Sequence, residues 1–255
     1  MLGTIRATDR VTARHLLLLA CLMILPPGTS PVAAGPSVQP KPDPSFPFST
    51  EIEDFAKANA EMAIPDATLF LGSSSIRLWN VEDSFPKLRV INRGFGGATT
   101  PDVLHYYERL RPRESPRSVI VYVGENDLSA GASPDKVAAD ILTLLGRLRS
   151  DFPRARIACL SLKPSPIRWT SYPKMQAVNG LIASRARAMG FDYLEVGGVL
   201  LATDGLPDAS LFRADGLHMN PRGYALWNRL VADWLNAGRP HRGPHPVGVA
   251  VANQP

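Results

Sequence analysis

Short apolar runs alternate with longer amphipathic stretches along the middle of this chain. The apolar runs are five to eight residues long and are bounded by glycine, proline and small polar residues, a pattern typical of buried β-strands. The sequence therefore predicts five strands, at Ala67–Leu71, Leu88–Asn92, Ser118–Val123, Ala155–Leu162 and Phe191–Val196.

Between these runs, apolar residues recur at the three- and four-residue spacing of a helix. Ser133 followed by Pro134 has the pattern of a helix start, with serine as N-cap and proline in the first turn. Another helix is predicted over Pro173–Met189, and Asn220 begins a last one. The last helix has one apolar face, formed by Tyr224, Trp227, Leu230, Val231 and Trp234.

Strands that alternate with helices predict a parallel sheet covered by helices on both faces. Because crossover connections between parallel strands are right-handed, the expected fold is a doubly wound α/β/α sandwich of three layers. We therefore predict a flavodoxin-like fold with a central parallel sheet of about five strands.

The two ends of the chain differ in composition from its middle. Three arginines precede the apolar run at 16–25, and small residues up to Ala34 suit cleavage, so residues 1–34 are predicted to be a secretory signal peptide. This leader predicts a secreted or periplasmic protein, with an uncleaved membrane anchor as the alternative. Residues 35–50 are rich in proline and are predicted to be a linker, 51–237 the folded domain, and 238–255 a disordered tail.

Charge and cysteine content narrow the possible functions. The formal net charge is +5, and it falls to +3 when the leader is removed with its three arginines and one aspartate. Without a run of lysine and arginine, the chain is not expected to bind nucleic acid. Cys159 lies in a predicted strand and is expected to be a buried apolar residue, and no disulfide is predicted within the mature chain.

Three serines follow the first predicted strand directly, in Gly72-Ser73-Ser74-Ser75. Ligand sites in doubly wound folds lie at the carboxyl ends of the strands, so one of these hydroxyls is a candidate nucleophile. A nucleophilic serine needs a base, usually a histidine oriented by a third group. Because His15, His241 and His245 lie in the leader and the tail, His105 and His218 are the two candidates.

His218 is the better candidate for the base. It follows the fifth strand in Asp215-Gly216-Leu217-His218, a spacing that lets the aspartate reach the imidazole, although the same residues could simply form a capped turn. His105 has an aspartate at the same spacing, but Thr100-Pro101-Asp102 has the pattern of a helix start. Asp102 is therefore better explained as a first-turn charge.

Acyl transfer also requires hydrogen-bond donors directed at the developing oxyanion. The glycine-rich segment Gly94-Phe95-Gly96-Gly97 follows the second strand, and Asn126 follows the third. Each segment is also consistent with an ordinary turn or helix cap. All these segments nevertheless meet at one edge of the predicted sheet.

Together, these segments resemble the sequence blocks of the SGNH or GDSL-type hydrolases. The first block corresponds to Gly72-Ser73-Ser74-Ser75, with Ser74 in the place of the nucleophile, and the second to Gly94-Phe95-Gly96-Gly97. Gly124-Glu125-Asn126-Asp127 matches the third block, Gly-x-Asn-Asp, and Asp215-Gly216-Leu217-His218 matches the last, Asp-x-x-His. The chain departs from the family pattern at Ser73, where the family has aspartate.

The resemblance implies a carboxylic ester hydrolase with a small-molecule substrate. It implies Ser74 as nucleophile, His218 as base and Asp215 as its orienting group, with no metal or organic cofactor. The oxyanion would be held by the backbone N–H groups of Ser74 and Gly97 and by the amide of Asn126.

Short-chain or acetyl esters are the favoured substrates. The alternatives are an acyltransferase that uses the same serine, a lysophospholipase or thioesterase, and a non-catalytic binding protein. Arg168 and Trp169 follow the fourth strand and are candidate substrate-binding residues, although a tryptophan that covers the core and a solvated arginine are the more common explanation for such residues.

Overall fold

A five-stranded parallel sheet forms the centre of the computed structural model, which describes residues 48–237. The strand order is β2-β1-β3-β4-β5 and every neighbouring pair is parallel, so the predicted flavodoxin-like α/β/α fold is confirmed. The strands are β1 Thr68–Gly72, β2 Val90–Gly94, β3 Ser118–Tyr122, β4 Arg156–Leu160 and β5 Asp192–Leu194.

The predicted strands agree with the observed ones to within about two residues at most ends. All five residues of β1 and of β3 are buried, as expected for parallel strands covered on both faces. The second strand lies two residues later than predicted, because it continues past Asn92 through the charged Arg93 to Gly94. Asn92 donates to the carbonyls of Ile76 and Trp79, so its amide is satisfied within the fold.

Nine α-helices connect and cover the strands within the described residues. The predicted caps are present, because Ser133 accepts from the N–H of Lys136, and Asn220 accepts from those of Arg222 and Gly223. The helices are α1 Ser49–Glu61, α2 Ser74–Arg77, α3 Val81–Ser84, α4 Thr100–His105, α5 Tyr107–Leu110, α6 Glu125–Ser129, α7 Pro134–Asp151, α8 Tyr172–Met189 and α9 Pro221–Asn236; 3-10 turns span Pro166–Ser171, Gly198–Leu200 and Ala209–Leu211.

Helix α1 begins inside the segment predicted to be a linker. Its first two residues, Ser49 and Thr50, precede the expected domain start at residue 51. The predicted signal peptide, the linker up to residue 47 and the tail from residue 238 lie outside the described residues.

An aromatic cluster fixes one face of the sheet against α9. Trp227 of α9 lies edge-on to Tyr122 of β3 and to Trp79, with ring centroids 5.1 and 5.4 Å apart. Phe70 of β1 extends the cluster to Trp79 at 5.4 Å. Because side chains alternate along a strand, the neighbours of Phe70 in β1 face the opposite helical layer.

Gly72 allows the first strand to end in a sharp turn at the edge of the sheet. Its φ angle is +149°, and a Cβ atom there would lie 1.9 Å from the carbonyl oxygen of Tyr122. The next residue, Ser73, donates its N–H to that same carbonyl at 3.1 Å. Ser74 is thereby placed at the first position of α2, above the carboxyl ends of β1 and β3.

Candidate active site

Ser74, His218 and Asp215 form a continuous chain of hydrogen bonds at this edge of the sheet. His218 Nε2 lies 2.9 Å from Ser74 Oγ, and His218 Nδ1 lies 2.7 Å from Asp215 Oδ2. With the Nδ1 proton directed at the carboxylate, Nε2 is left to accept from the serine hydroxyl. This arrangement can remove the proton from a nucleophilic serine.

The loop that carries Asp215 and His218 is held by its own backbone. Asp215 Oδ1 accepts from the N–H groups of Leu217 at 2.8 Å and His218 at 2.9 Å. The N–H of Arg213 donates to the carbonyl of His218 at 2.7 Å, which closes the loop. The hydrogen bond from the His218 side chain, assisted by these backbone donors, lowers the pKa of Asp215, so the carboxylate stays ionised at neutral pH.

The serine opens into a cleft of about 490 Å³ that also contains the predicted oxyanion donors. Gly97 lies in this cleft with a φ of +79°, a conformation that favours glycine. The amide of Asn126 donates one N–H to Ala98 O at 2.9 Å, and its second N–H is available to a ligand. The cleft is lined by Phe48, Glu51, Ser74, Arg77, Gly96, Gly97, Asn126, Arg168, Leu217 and His218.

The neighbouring serines have different surroundings from Ser74. Ser73 and Ser75 are both buried, and the carbonyl of Ser75 accepts from the Tyr224 hydroxyl at 2.9 Å. Ser73 bonds through its backbone, with its carbonyl accepting from the N–H of Ile76 at 2.9 Å. Of the three hydroxyls, it is therefore Ser74 Oγ that lies at hydrogen-bond distance from His218.

The competing histidine lies in a helix, as its sequence context predicts. Asp102 forms a capping box with Thr99, which confirms the interpretation of Asp102 as a helix-start residue. His105 ends α4, and its ring lies edge-on to Tyr106 with centroids 4.6 Å apart.

The two candidate substrate-binding residues behave differently. Arg168 lines the cleft, but its Nη2 donates to Asn126 Oδ1 at 3.0 Å, so its guanidinium is already engaged with the protein. Trp169 lies outside the lining of this cleft and stacks on Tyr172, with ring centroids 5.0 Å apart.

Two buried charged residues behind the cleft were not assigned a role by the sequence. Lys163 Nζ lies 3.1 Å from Glu125 Oε2, and the side chains are 0% and 5% exposed. Each residue lies three positions after the end of a strand, β3 for Glu125 and β4 for Lys163, and those strands are neighbours. Opposite charges shortly after two consecutive predicted strands are a signal in the sequence, but the pairing also depends on these strands being neighbours in the sheet.

Other features of residues 48–237 bear on cofactors and location. No group of three or more histidine, cysteine, aspartate or glutamate side chains in this range has the arrangement of a metal site. Cys159 is buried as predicted, and burial raises the pKa of its thiol to about 12. None of the helices in the described part of the chain has the length and apolar character needed to cross a membrane.

Comparison with known sequences identifies one family. The sequence profile of the GDSL-like Lipase/Acylhydrolase family matches residues 78–226, which is more than half of the chain. The match begins four residues after Ser74 and includes Gly97, Asn126, Asp215 and His218. Curated protein sequences give no match.

Solved structures share this fold at low sequence identity. A Streptococcus pneumonia protein provisionally assigned as a platelet activating factor is 20% identical, with a TM-score of 0.68 over 73% of this chain and 92% of that one. A GDSL-like lipase from Bacteroides thetaiotaomicron is also 20% identical, with a TM-score of 0.62 over 73% and 97%. The OSK domain of Drosophila Oskar is 16% identical, with a TM-score of 0.55 over 69% and 95%. At such identities these likenesses concern the fold, and activity has to be argued from the site.

Proposed function

The chain belongs to the GDSL-like lipase/acylhydrolase family and is a carboxylic ester hydrolase, and we propose that it cleaves short-chain esters, acetyl esters above all, through an acyl-enzyme on Ser74. The observation that carries this proposal is the hydrogen-bond chain from Ser74 through His218 to Asp215, with lengths of 2.9 and 2.7 Å.

In the first step, Ser74 Oγ attacks the carbonyl carbon of the ester while His218 Nε2 takes the hydroxyl proton. Asp215 keeps the imidazole oriented and stabilises the imidazolium that forms. The negative oxygen of the tetrahedral intermediate accepts hydrogen bonds from the Ser74 and Gly97 N–H groups and the Asn126 amide. The bond from carbon to the leaving oxygen then breaks, and His218 returns its proton to the departing alcohol.

In the second step, water hydrolyses the acyl-enzyme. His218 removes a proton from the water as it attacks the acyl carbon, and the same donors hold the second oxyanion. The bond between the acyl carbon and Ser74 Oγ breaks, the proton passes back to Oγ, and a carboxylic acid leaves.

The lining of the cleft supports a short acyl chain. Two of its side chains, Phe48 and Leu217, are wholly apolar, while Glu51, Arg77 and Arg168 bring charge to the same space. A long acyl chain gains affinity from apolar surface that excludes water, at about 0.8 kcal/mol per buried methylene. Because only two of the lining side chains are wholly apolar, we expect that gain for the first carbons of an acyl chain alone.

A panel of p-nitrophenyl esters from acetyl to palmitoyl tests the proposal. We expect kcat/KM to be highest for acetyl or butyryl and to fall for longer chains, and Ser74→Ala to abolish turnover of all of them. Ser73→Ala is the matched control, because it removes the adjacent hydroxyl and should retain most of the activity. Full activity in Ser74→Ala would refute the assignment of the nucleophile.

Product analysis separates hydrolysis from acyl transfer by the same serine. In the presence of an added acceptor alcohol, a hydrolase gives the free acid as its main product. A new ester as the main product would show that the protein is a transferase.

We also propose that the protein is exported, because of its arginine-rich and apolar leader. N-terminal sequencing of the mature protein should find residue 35 at its start. A mature chain that retains the leader would favour the membrane anchor.

A further inference from the structure

A buried ion cluster lies directly behind the cleft. Lys163 Nζ donates to both carboxylate oxygens of Glu125, at 3.1 and 3.3 Å, and Arg168 Nη1 lies 3.7 Å from Glu125 Oε1. The Tyr122 hydroxyl also donates to this carboxylate, and burial together with the Glu125 charge raises the pKa of Tyr122 well above its usual value. Two cations thus share one anion, and the cluster carries a net charge of +1.

Burying such a cluster between the sheet and its loops has a large cost in free energy. Each buried ion loses its hydration, and a buried pair is often no more stable than well-packed apolar residues of the same volume. A role beyond stability is therefore worth seeking in what the cluster contacts.

The cluster contacts both halves of the candidate active site. Lys163 Nζ donates to the carbonyl of Leu217 at 3.0 Å, one residue before His218. Arg168 Nη2 donates to Asn126 Oδ1 at 3.0 Å. The same carboxylate, Glu125, therefore anchors the cation that supports the histidine loop and the cation that holds the asparagine.

The arginine determines which end of the Asn126 amide faces the cleft. Its oxygen accepts from the guanidinium, and one of its N–H bonds donates to Ala98 O at 2.9 Å. A flipped amide would place N–H groups against the guanidinium N–H and oxygen against the Ala98 carbonyl, so it would lose both hydrogen bonds. A charged donor on Oδ1 also polarises the amide and strengthens its remaining N–H as a donor.

We propose that Arg168 is a positioning residue, which orients and polarises Asn126 as an oxyanion donor and is itself held by the buried carboxylate of Glu125. This inference rests on the proposed function, because it takes Asn126 to contact the oxyanion. It differs from the expectation from sequence, in which Arg168 binds the substrate. The guanidinium acts through Asn126 and assists the transition state without contacting the ester.

The two roles predict different kinetics for Arg168→Gln with p-nitrophenyl acetate. A positioning role lowers kcat by about 10-fold to 100-fold, less than the roughly 10²–10³ that loss of a whole oxyanion donor costs, and leaves KM within about twofold. Direct binding of substrate would raise KM at nearly unchanged kcat.

A double-mutant cycle with Asn126→Ala tests whether Arg168 acts through Asn126. We expect Arg168→Gln to lower kcat by no more than about threefold once Asn126 is absent, since its effect passes through that side chain. Arg77→Gln is the matched control, because Arg77 also lines the cleft but is salt-bridged to Glu51 at 4.0 Å, and its effect should be additive with Asn126→Ala. Additive losses for Arg168→Gln would overturn the proposal.

Two further measurements keep the result decisive. Arg168→Lys retains the charge, but its single ammonium group cannot contact Glu125 and Asn126 together as the guanidinium does. It should therefore rescue part of the kcat. It also replaces Arg168→Gln in the double-mutant cycle if that variant does not fold. Ser74→Ala separates the two claims. Full activity of Ser74→Ala would refute the proposed mechanism, and with it the oxyanion role of Asn126 and the positioning role of Arg168. An inactive Ser74→Ala together with additive losses in the double-mutant cycle would refute the positioning role alone.

Discussion

Replacing Lys163 by methionine isolates the energetic contribution of the buried ion cluster. The substitution keeps an unbranched side chain, one heavy atom shorter, and removes three hydrogen bonds of 3.0 to 3.3 Å, two to Glu125 and one to the carbonyl of Leu217. Glu125 is then left 5% exposed with the Tyr122 hydroxyl and with Arg168 at 3.7 Å as its partners.

The expected loss of stability follows from the uncompensated carboxylate. Breaking a buried ion pair by removing one partner costs about 3–5 kcal/mol. Because Arg168 still faces Glu125, we expect Lys163→Met to lose about 3 kcal/mol, at the lower end of that range. Glu125→Gln should cost a similar amount. The double variant should also lose about 3 kcal/mol, well short of the roughly 6 kcal/mol sum, because it removes both members of the Glu125–Lys163 pair at once. Arg168 then loses Glu125 as a partner, but its side chain is 18% exposed and keeps contact with solvent.

Urea unfolding at pH 7, followed by tryptophan fluorescence, measures these free energies. Lys136→Met is the matched control, because Lys136 pairs with Asp140 one helical turn away at the surface, with 61% of its side chain exposed. An exposed pair of this kind is worth less than about 1 kcal/mol. Equal losses for Lys163→Met and Lys136→Met, or additive losses in the double variant, would refute the reasoning.

Three further predictions concern the turn, the acid and the thiol. Gly72→Ala should prevent native folding, because its Cβ would lie 1.9 Å from a carbonyl oxygen, whereas Gly131→Ala, with a φ of +95° and open space around it, should cost only about 1–2 kcal/mol in urea unfolding. The lowered pKa of Asp215 means that its contribution to stability is present above the ordinary aspartate pKa of about 3.9 and is lost as the pH falls below it. The difference in unfolding free energy between wild type and Asp215→Asn should therefore shrink as the pH is lowered from 5 into more acid solution. Cys159, whose pKa burial raises to about 12, should not react with a thiol-specific reagent at pH 8 in a Cys21→Ser background until the protein is unfolded, and rapid reaction of the native protein would contradict its burial.

The strands were predictable because parallel strands are buried on both faces and appear as continuous apolar runs. The ends of β2 were harder to predict, because this strand contains a charged residue, Arg93. Its side chain donates to Asn59 Oδ1 at 2.5 Å, a partner 34 residues away that local sequence does not reveal. Asn59 belongs to helix α1, which was not predicted from the sequence. This helix directly follows a proline-rich stretch, so the sequence there indicates a linker.

The positions of the candidate site residues followed from strand ends and from resemblance to family blocks. What sequence could not show was how these residues are supported. The Glu125–Lys163 pair spans 38 residues and the Arg168–Asn126 hydrogen bond 42, so both depend on which strands become neighbours in the sheet. We propose a different role for Arg168 for this reason, since its charge suggests a ligand for the substrate whereas its contacts join it to Asn126 and Glu125.

Labelling with a serine-reactive phosphonate, located by peptide mass spectrometry, tests the central claim most directly. We expect one phosphonyl group per protein, carried by Ser74, with loss of esterase activity in proportion to labelling. Ser74→Ala should remain unlabelled, and His218→Ala should label far more slowly. A protein that hydrolyses esters while the label is absent or lies on another serine would contradict the assignment of Ser74 as the nucleophile.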